Sequence, residues 1–282
     1  SLNPADTREI VAVVQAATRN DAVKALDAAE KAFPAWKNTP APLRGRIVAK
    51  ALEIARARRI EIGTLMTREE GKILPEGIGE VDKGNNLLEW FAGEALRFMG
   101  HTAPSELPRN LLYTIRQPLG VVSIITPWNF PWAIACWKIA PALVAGNTVV
   151  FKPASLVPAV SVELVKCFEE AGLPPGVLNL VIGSGAEVGD TIVQDPRVRA
   201  ISFTGSNSVG KAVYKHAGER GIKVTCEMGG KNPCVVWKDA DFDLALAGVL
   251  RGAFGATGQR CTATSRLIVH KDVADAFLGR LK

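Results

Sequence analysis

Three side chains in this sequence sit where their chemistry could be put to use. Cys261 follows GlyAlaThrGlyGlnArg in a glycine-flanked polar loop. There the Arg260 cation and exposed backbone N–H groups would favour the thiolate, the form of cysteine that attacks carbonyl carbon; the plainer alternative is an ordinary loop cysteine. Cys136, Cys167, Cys226 and Cys234 lie among apolar neighbours, where a small buried hydrophobe is the better explanation. Glu227 closes an apolar run in CysGluMetGlyGlyLys. Partial withdrawal from water would suit it to general-base work, while the alternative is a salt bridge to Lys231 or another surface cation. Asn129, inside the apolar turn ProTrpAsnPhePro, needs hydrogen-bond partners if buried, and a neutral amide donor of this kind also stabilises a developing oxyanion.

Two glycine turns are candidates for holding phosphate. AlaIleSerPheThr runs into Gly205, with Gly210 and Lys211 following, and reads as a strand, a glycine turn and a helix start. Bare N–H groups at such a helix N-terminus, with the helix dipole behind them, bind phosphate well. The G-x-x-x-x-G-K spacing of a nucleotide-binding loop is met, but Ala212 stands where a Ser or Thr hydroxyl must reach magnesium, so a P-loop phosphotransferase is disfavoured. Gly183, Gly185 and Gly189 form G-x-G-x-x-x-G, one residue longer than the dinucleotide fingerprint, and mark either cofactor contact or a tight turn. His101, His216 and His270 are scattered, and neither G-x-S-x-G nor H-E-x-x-H occurs. A serine hydrolase and a zinc peptidase are therefore without support.

The elements that must position these groups follow from hydrophobic periodicity. The first hundred residues predict helices at about 21–36, 43–70 and 87–98. Beyond Leu111, short β-branched runs at 121–125, 148–151, 177–181, 200–203 and 235–236 alternate with helical segments, which predicts βαβ units and a parallel sheet with helices on both faces. A helix from Asp241 to about Gly255, a strand near 267–270 and a helix from about Val273 end the chain without a C-cap. With 282 residues, 48% hydrophobic and 22% charged, the composition is globular, and the net charge of +6 is dispersed, favouring an anionic small ligand over nucleic acid. Five cysteines with no C-x-x-C argue against a disulfide framework and a metal site and suit a reducing compartment. The first residues lack the features of a signal peptide, so a cytoplasmic location is expected. Residues 119–137 carry no Asp, Glu, Lys or Arg, but Pro127, Asn129 and Pro131 break any membrane-spanning helix there.

ThrProTrpAsnPhePro at 126–131, PheLysProAla at 151–154, PheThrGlySer at 203–206, GluMetGlyGlyLysAsnPro at 227–233 and GlyGlnArgCysThrAla at 258–263 together resemble the aldehyde dehydrogenase superfamily across essentially the whole chain. Within it, the sequence is most similar to bacterial α-ketoglutaric semialdehyde (2,5-dioxopentanoate) dehydrogenases. The resemblance implies a Rossmann-like α/β dinucleotide-binding domain over 1–100 and 119–229, an oligomerisation ribbon at 101–118, and the beginning of a second α/β catalytic domain at 230–282. It implies that Cys261 is the nucleophile, Glu227 the general base, and Asn129 with the Cys261 N–H the oxyanion hole. It places NAD or NADP against Ile125, Thr126, Trp128, Lys152, Ser155, Thr204, Gly205, Ser206 and Gly229, and the aldehyde against Phe130 and Trp137. The implied chemistry is thiolate addition, hydride transfer and hydrolysis of a thioester, in a homo-oligomer, dimer or tetramer, with no membrane or nucleic-acid partner.

Two departures matter. Family members continue well past the last residue here, so the chain reads as a fragment, and a catalytically incomplete dinucleotide-binding piece is the competing reading. At Ser155, NAD-preferring members often place a glutamate, and its absence predicts tolerance of NADP.

Overall fold

A hairpin of β1 (Leu2–Asn3) and β2 (Asp6–Ile10) opens the computed structural model, which describes residues 1–282. Thr18 then starts α1 (Arg19–Asn38) with a capping box: its hydroxyl accepts from the Asp21 amide, and the Asp21 carboxylate accepts from the Thr18 amide. Two donors that a helix start leaves open are thereby satisfied. Next come α2 (Ala41–Ala57), α3 (Arg59–Glu70), α4 (Leu74–Glu94) and a short antiparallel pair, β3 (Thr102–Ala103) and β4 (Leu112–Tyr113). Strands and helices alternate from there: β5 (Val121–Ile125), α5 (Ala133–Val144), β6 (Thr148–Lys152), α6 (Pro158–Glu170), β7 (Leu178–Leu180), α7 (Asp190–Gln194), β8 (Val198–Gly205), α8 (Asn207–Glu219) and β9 (Lys223–Met228).

These strands form one sheet in the order β7-β6-β5-β8-β9, with β5 parallel to β6 and β8, and β6 parallel to β7. Every residue of β6, ThrValValPheLys, is buried; a continuous run without polar alternation is what a strand covered on both faces requires. On one face, Val122, Ile124 and Phe151 pack with Val48, Met66, Leu88, Ile139 and Phe168. On the other, Val121, Val150 and Phe203 pack with Leu26, Ile192 and Val213. Each fully buried large side chain of this kind contributes roughly 1.5–3 kcal/mol. The chain runs from β5 outward to β6 and β7, then returns to lay β8 and β9 on the opposite side. Such a reversal opens a crevice beyond the carboxyl ends of the central strands.

The chain divides into two units, Ser1–Cys226 and Glu227–Lys282. In the second, β10 (Asn232–Val236) pairs in parallel with β11 (Thr264–Val269), joined through α9 (Phe242–Phe254), and α10 (Ala274–Leu281) follows. Its buried apolar centre is small, Val236, Val249 and Phe277, with Phe242 set edge-on to Phe277 at 5.3 Å. No helix of the chain is long and apolar enough to cross a membrane.

The structure corrects several sequence expectations. The helix predicted over 43–70 is two helices, because Arg58 leaves helical geometry and its guanidinium pairs with Glu170 of α6. The helix expected from residue 87 begins at Leu74. Its glycines obscured the periodicity, yet Gly84 is there for packing: a Cβ on it would lie 2.3 Å from the Trp132 ring. The hairpin β1–β2 and strand β9 were not anticipated; the first is short and polar, and the second is only partly covered.

Candidate functional site

Ile125, Lys152 and Gly205 are the last residues of β5, β6 and β8, and the register sets Ile125 beside both Lys152 and Phe203. Ile125, Thr126, Lys152, Thr204, Gly205 and Ser206 therefore gather on one edge of the sheet, at the reversal. Ser206 caps α8, its hydroxyl accepting from the Val209 amide at 3.4 Å. Lys152 is 8% exposed, its Nζ donates to the Pro153 carbonyl at 3.4 Å, and burial pushes its pKa down. The Thr126 hydroxyl is buried without a hydrogen-bond partner. A buried ammonium and an unsatisfied hydroxyl beside a helix N-terminus fit the ribose hydroxyls and phosphates of a dinucleotide. Ser155 is exposed and its hydroxyl donates to the Gly183 carbonyl at 2.9 Å. Gly183 itself serves packing, since a Cβ there would approach the Ala17 carbonyl oxygen to 2.7 Å. Gly189 lies against the lysine stem, its would-be Cβ 3.7 Å from Lys152 Cδ and Cε. Trp128 is half-buried, and Gly229 is exposed in the second unit.

Asn129 and Phe130 are half-buried in the turn between β5 and α5. A buried charge cluster grips this turn. Lys72, 4% exposed, donates from Nζ to the Asn129 carbonyl at 3.0 Å, lies 4.3 Å from the Phe130 ring centroid, pairs with Glu80, and stands 3.2 Å from Glu70 Oε2. The other Glu80 oxygen accepts from the amides of Trp132 and Ala133, at 2.9 and 3.2 Å, the open donors at the start of α5. Burial pushes the Glu80 carboxyl up in pKa, with Lys72 and the two amides pulling the other way. Burial likewise raises Glu70, to about 7. Lys72, Glu70 and Glu80 fall in no sequence motif. The available signal was Glu80 itself, an acid on the buried stripe of α4 with Gly77, Val81, Gly84 and Leu88. Trp137, on α5, is 54% exposed, with Lys83 Nζ 5.6 Å from its ring centroid.

In the second unit Cys261 is exposed, whereas Cys136 and Cys167 are buried and Cys226 and Cys234 are intermediate. It follows a turn in which Ala256 and Thr257 hold φ of 51° and 53° and Gly258 holds 69°. For Ala and Thr the left-handed region costs on the order of 1–2 kcal/mol per residue. The loop is tied down by Asn232, whose Nδ2 donates to the carbonyls of Cys261 and Ala263 at 2.8 and 3.1 Å. In the sequence Asn232 stands only as part of GluMetGlyGlyLysAsnPro, and nothing local signals a clamp on carbonyls 29 and 31 residues away. Glu227, on β9, is exposed, which overturns the expected partial burial: β9 lies at the end of the sheet order and its alternate residues face solvent. No group of three or more His, Cys, Asp or Glu is arranged to hold a metal ion.

A doubly wound sheet with this edge, and a loop cysteine clamped through its backbone, define a dinucleotide-type fold bearing a thiol. The profile of the aldehyde dehydrogenase family matches residues 1–282, and the chain belongs to that family. It is 48% identical to the 2,5-dioxopentanoate dehydrogenase of Saccharolobus solfataricus, over 99% of this chain and 59% of that protein. Among solved structures it matches an E. coli NADP dependent enzyme, with 38% identity and a TM-score of 0.96 over 99% of this chain and 58% of the other. It also matches betaine aldehyde dehydrogenase from Staphylococcus aureus in complex with NAD+, with 36% identity and a TM-score of 0.96 over 99% and 56%. The chain thus spans somewhat more than half the length of these relatives.

Proposed function

We propose that the protein carrying this chain oxidises an aldehyde to its carboxylic acid with NAD or NADP, through a thioester on Cys261. The observation that carries this is the exposure of Cys261 alone among the five cysteines, on a strained, clamped loop. The Cys261 thiolate adds to the aldehyde carbon, and the resulting oxyanion is met by the Asn129 side-chain amide and the Cys261 N–H. The dinucleotide, when bound, supplies the hydride acceptor. Lys152 and Ser206 would hold its ribose and phosphates, with Ile125, Thr126, Trp128, Ser155, Thr204, Gly205 and Gly229 around it. Glu227 then takes a proton from the water that cleaves the thioester, releasing the acid and the free thiol. Phe130 and Trp137 line the aldehyde's path.

On this reading residues 1–100 and 119–229 bind the dinucleotide, 101–118 form an oligomerisation ribbon and 230–282 begin the catalytic domain. The assembly is a cytoplasmic homo-oligomer, dimer or tetramer. The likeness to a 2,5-dioxopentanoate dehydrogenase favours a short semialdehyde bearing a carboxylate. The test is NAD(P)H formation by the protein as expressed in its host, with 2,5-dioxopentanoate and with acetaldehyde. A higher kcat/KM for the semialdehyde is expected; absence of NAD(P)H with both aldehydes would overturn the reading.

A further inference from the structure

We infer that Lys72 is a positioning residue for the oxyanion amide: its ammonium fixes the backbone of Asn129 and so the direction in which the Asn129 side chain points. The inference rests on the aldehyde-oxidising reading above. Its basis is the convergence of one buried cation on one turn. Lys72 Nζ has three oxygens around it, from Glu80, the Asn129 carbonyl at 3.0 Å and Glu70 at 3.2 Å, with the Phe130 ring at 4.3 Å completing its surroundings. Glu80 carries the same grip onward to the amides of Trp132 and Ala133. The turn between β5 and α5 is therefore held at its middle by the lysine and at its exit by the glutamate, and these two are ion-paired to each other.

Helix propensity and apolar packing do not call for this arrangement. A buried ion pair is on balance no more stabilising than well-packed apolar side chains of the same volume, and Leu88 of α4 and Ile139 of α5 already share one buried apolar cluster with Trp132. What the pair adds is direction. A carbonyl bound to a fixed ammonium restrains the Asn129 ψ angle and, with β5 holding the chain before it, the position of the Asn129 Cα; a shift of that Cα would carry the side-chain amide away from the oxyanion. Misplacement of about 1 Å in such a donor costs up to roughly 100-fold in rate.

The experiment is a double-mutant cycle in the protein as expressed in its host. Lys72→Met and Asn129→Ala, singly and together, are compared by the rate of NAD(P)H formation in the first turnover. Two controls are the rate of Cys261 alkylation by iodoacetamide, a displacement that develops no oxyanion, and the dissociation constant of the dinucleotide. Lys72→Met is expected to slow the first turnover roughly 10- to 100-fold, with alkylation and dinucleotide binding within about twofold of wild type. In the Asn129→Ala background, where the carbonyl remains but the side-chain amide is gone, Lys72→Met should slow it less than about threefold, because two residues acting as one unit are not additive. Equal slowing in both backgrounds, or alkylation lost in parallel with turnover, would overturn the inference. Should Lys72→Met not fold, Lys72→Gln and Glu80→Gln enter the same cycle with the same criterion. A wild-type protein that forms NAD(P)H and is slowed by Asn129→Ala but not by the Lys72 variants refutes this inference alone; a wild type that forms none refutes the functional reading with it.

Discussion

In the first unit, Asn129 lies in a turn whose backbone is held by buried charge, while in the second unit Cys261 is exposed on a loop held through carbonyls by one neutral amide. The first unit rests on two extensive apolar clusters, the second on a centre of three buried side chains. The contrast matches the two tasks proposed for these residues. A donor that stabilises charge works best when it does not reorganise as the charge appears, whereas a nucleophile must be reached by its substrate. Rigidity is therefore built with buried ions in one place and with backbone conformation in the other.

The largest effect expected from breaking this contrast is at Asn232. Asn232→Ala removes both hydrogen bonds to the 261–263 backbone, and turnover should fall on the order of 100-fold, read as kcat, with dinucleotide affinity retained. Unchanged turnover would mean that the strained turn holds Cys261 unaided. The same substitution at two glycines should then give opposite signs. Gly84→Ala forces a methyl to within 2.3 Å of the buried Trp132 ring and 3.1 Å of Cys136 Sγ, a destabilisation of about 2 kcal/mol. Gly248→Ala in α9 meets nothing within 4 Å and should stabilise by about 0.5–1 kcal/mol. Denaturant melts of the two variants check the pair, and equal signs would refute the packing account.

A smaller effect concerns pH. Burial raises the folded-state pKa of Glu70 from 4.5 to about 7, so between those values the folded protein binds the proton and the unfolded chain does not. Stability from this group is therefore present at low pH and lost as pH rises toward 7. Glu70→Gln should remove the dependence, and its stability relative to wild type should grow by on the order of 1–2 kcal/mol between pH 4.5 and pH 8. A difference that stays flat with pH would show that Glu70 is ionised throughout. The smallest effect is on cofactor choice. Ser155→Glu should raise the NAD to NADP ratio of kcat/KM several-fold through repulsion of the 2′-phosphate, and an unchanged ratio would place Ser155 away from the ribose.

What the sequence revealed and what it hid divide along the same line. The β-branched runs at β5 and β6 are buried without polar alternation, so a doubly covered sheet was legible from them, as was a polar glycine loop around Cys261. Lys72 and Glu80 were not. Lys72 is 57 residues from the carbonyl it binds, and local periodicity carries no information about a partner at that range. The break at Arg58 was hidden for a related reason: both sides of it are helical, and what marks it is a contact with Glu170, 112 residues away. The burial expected at Glu227 failed because an apolar run in sequence does not say whether its strand has neighbours on both sides.

The division of labour between Cys261 and Glu227 is the centre of the functional account, and rapid-mixing absorbance of NAD(P)H tests it most directly. In the protein as expressed in its host, with a small aldehyde, Glu227→Gln should keep a first-turnover burst and lose most of the steady rate, because hydride transfer precedes the hydrolysis that Glu227 assists. Cys261→Ser should lose both, since a serine hydroxyl is far less acidic than a thiol. Full steady turnover in Glu227→Gln would remove the glutamate from the mechanism, and a persistent burst in Cys261→Ser would contradict the account at its nucleophile.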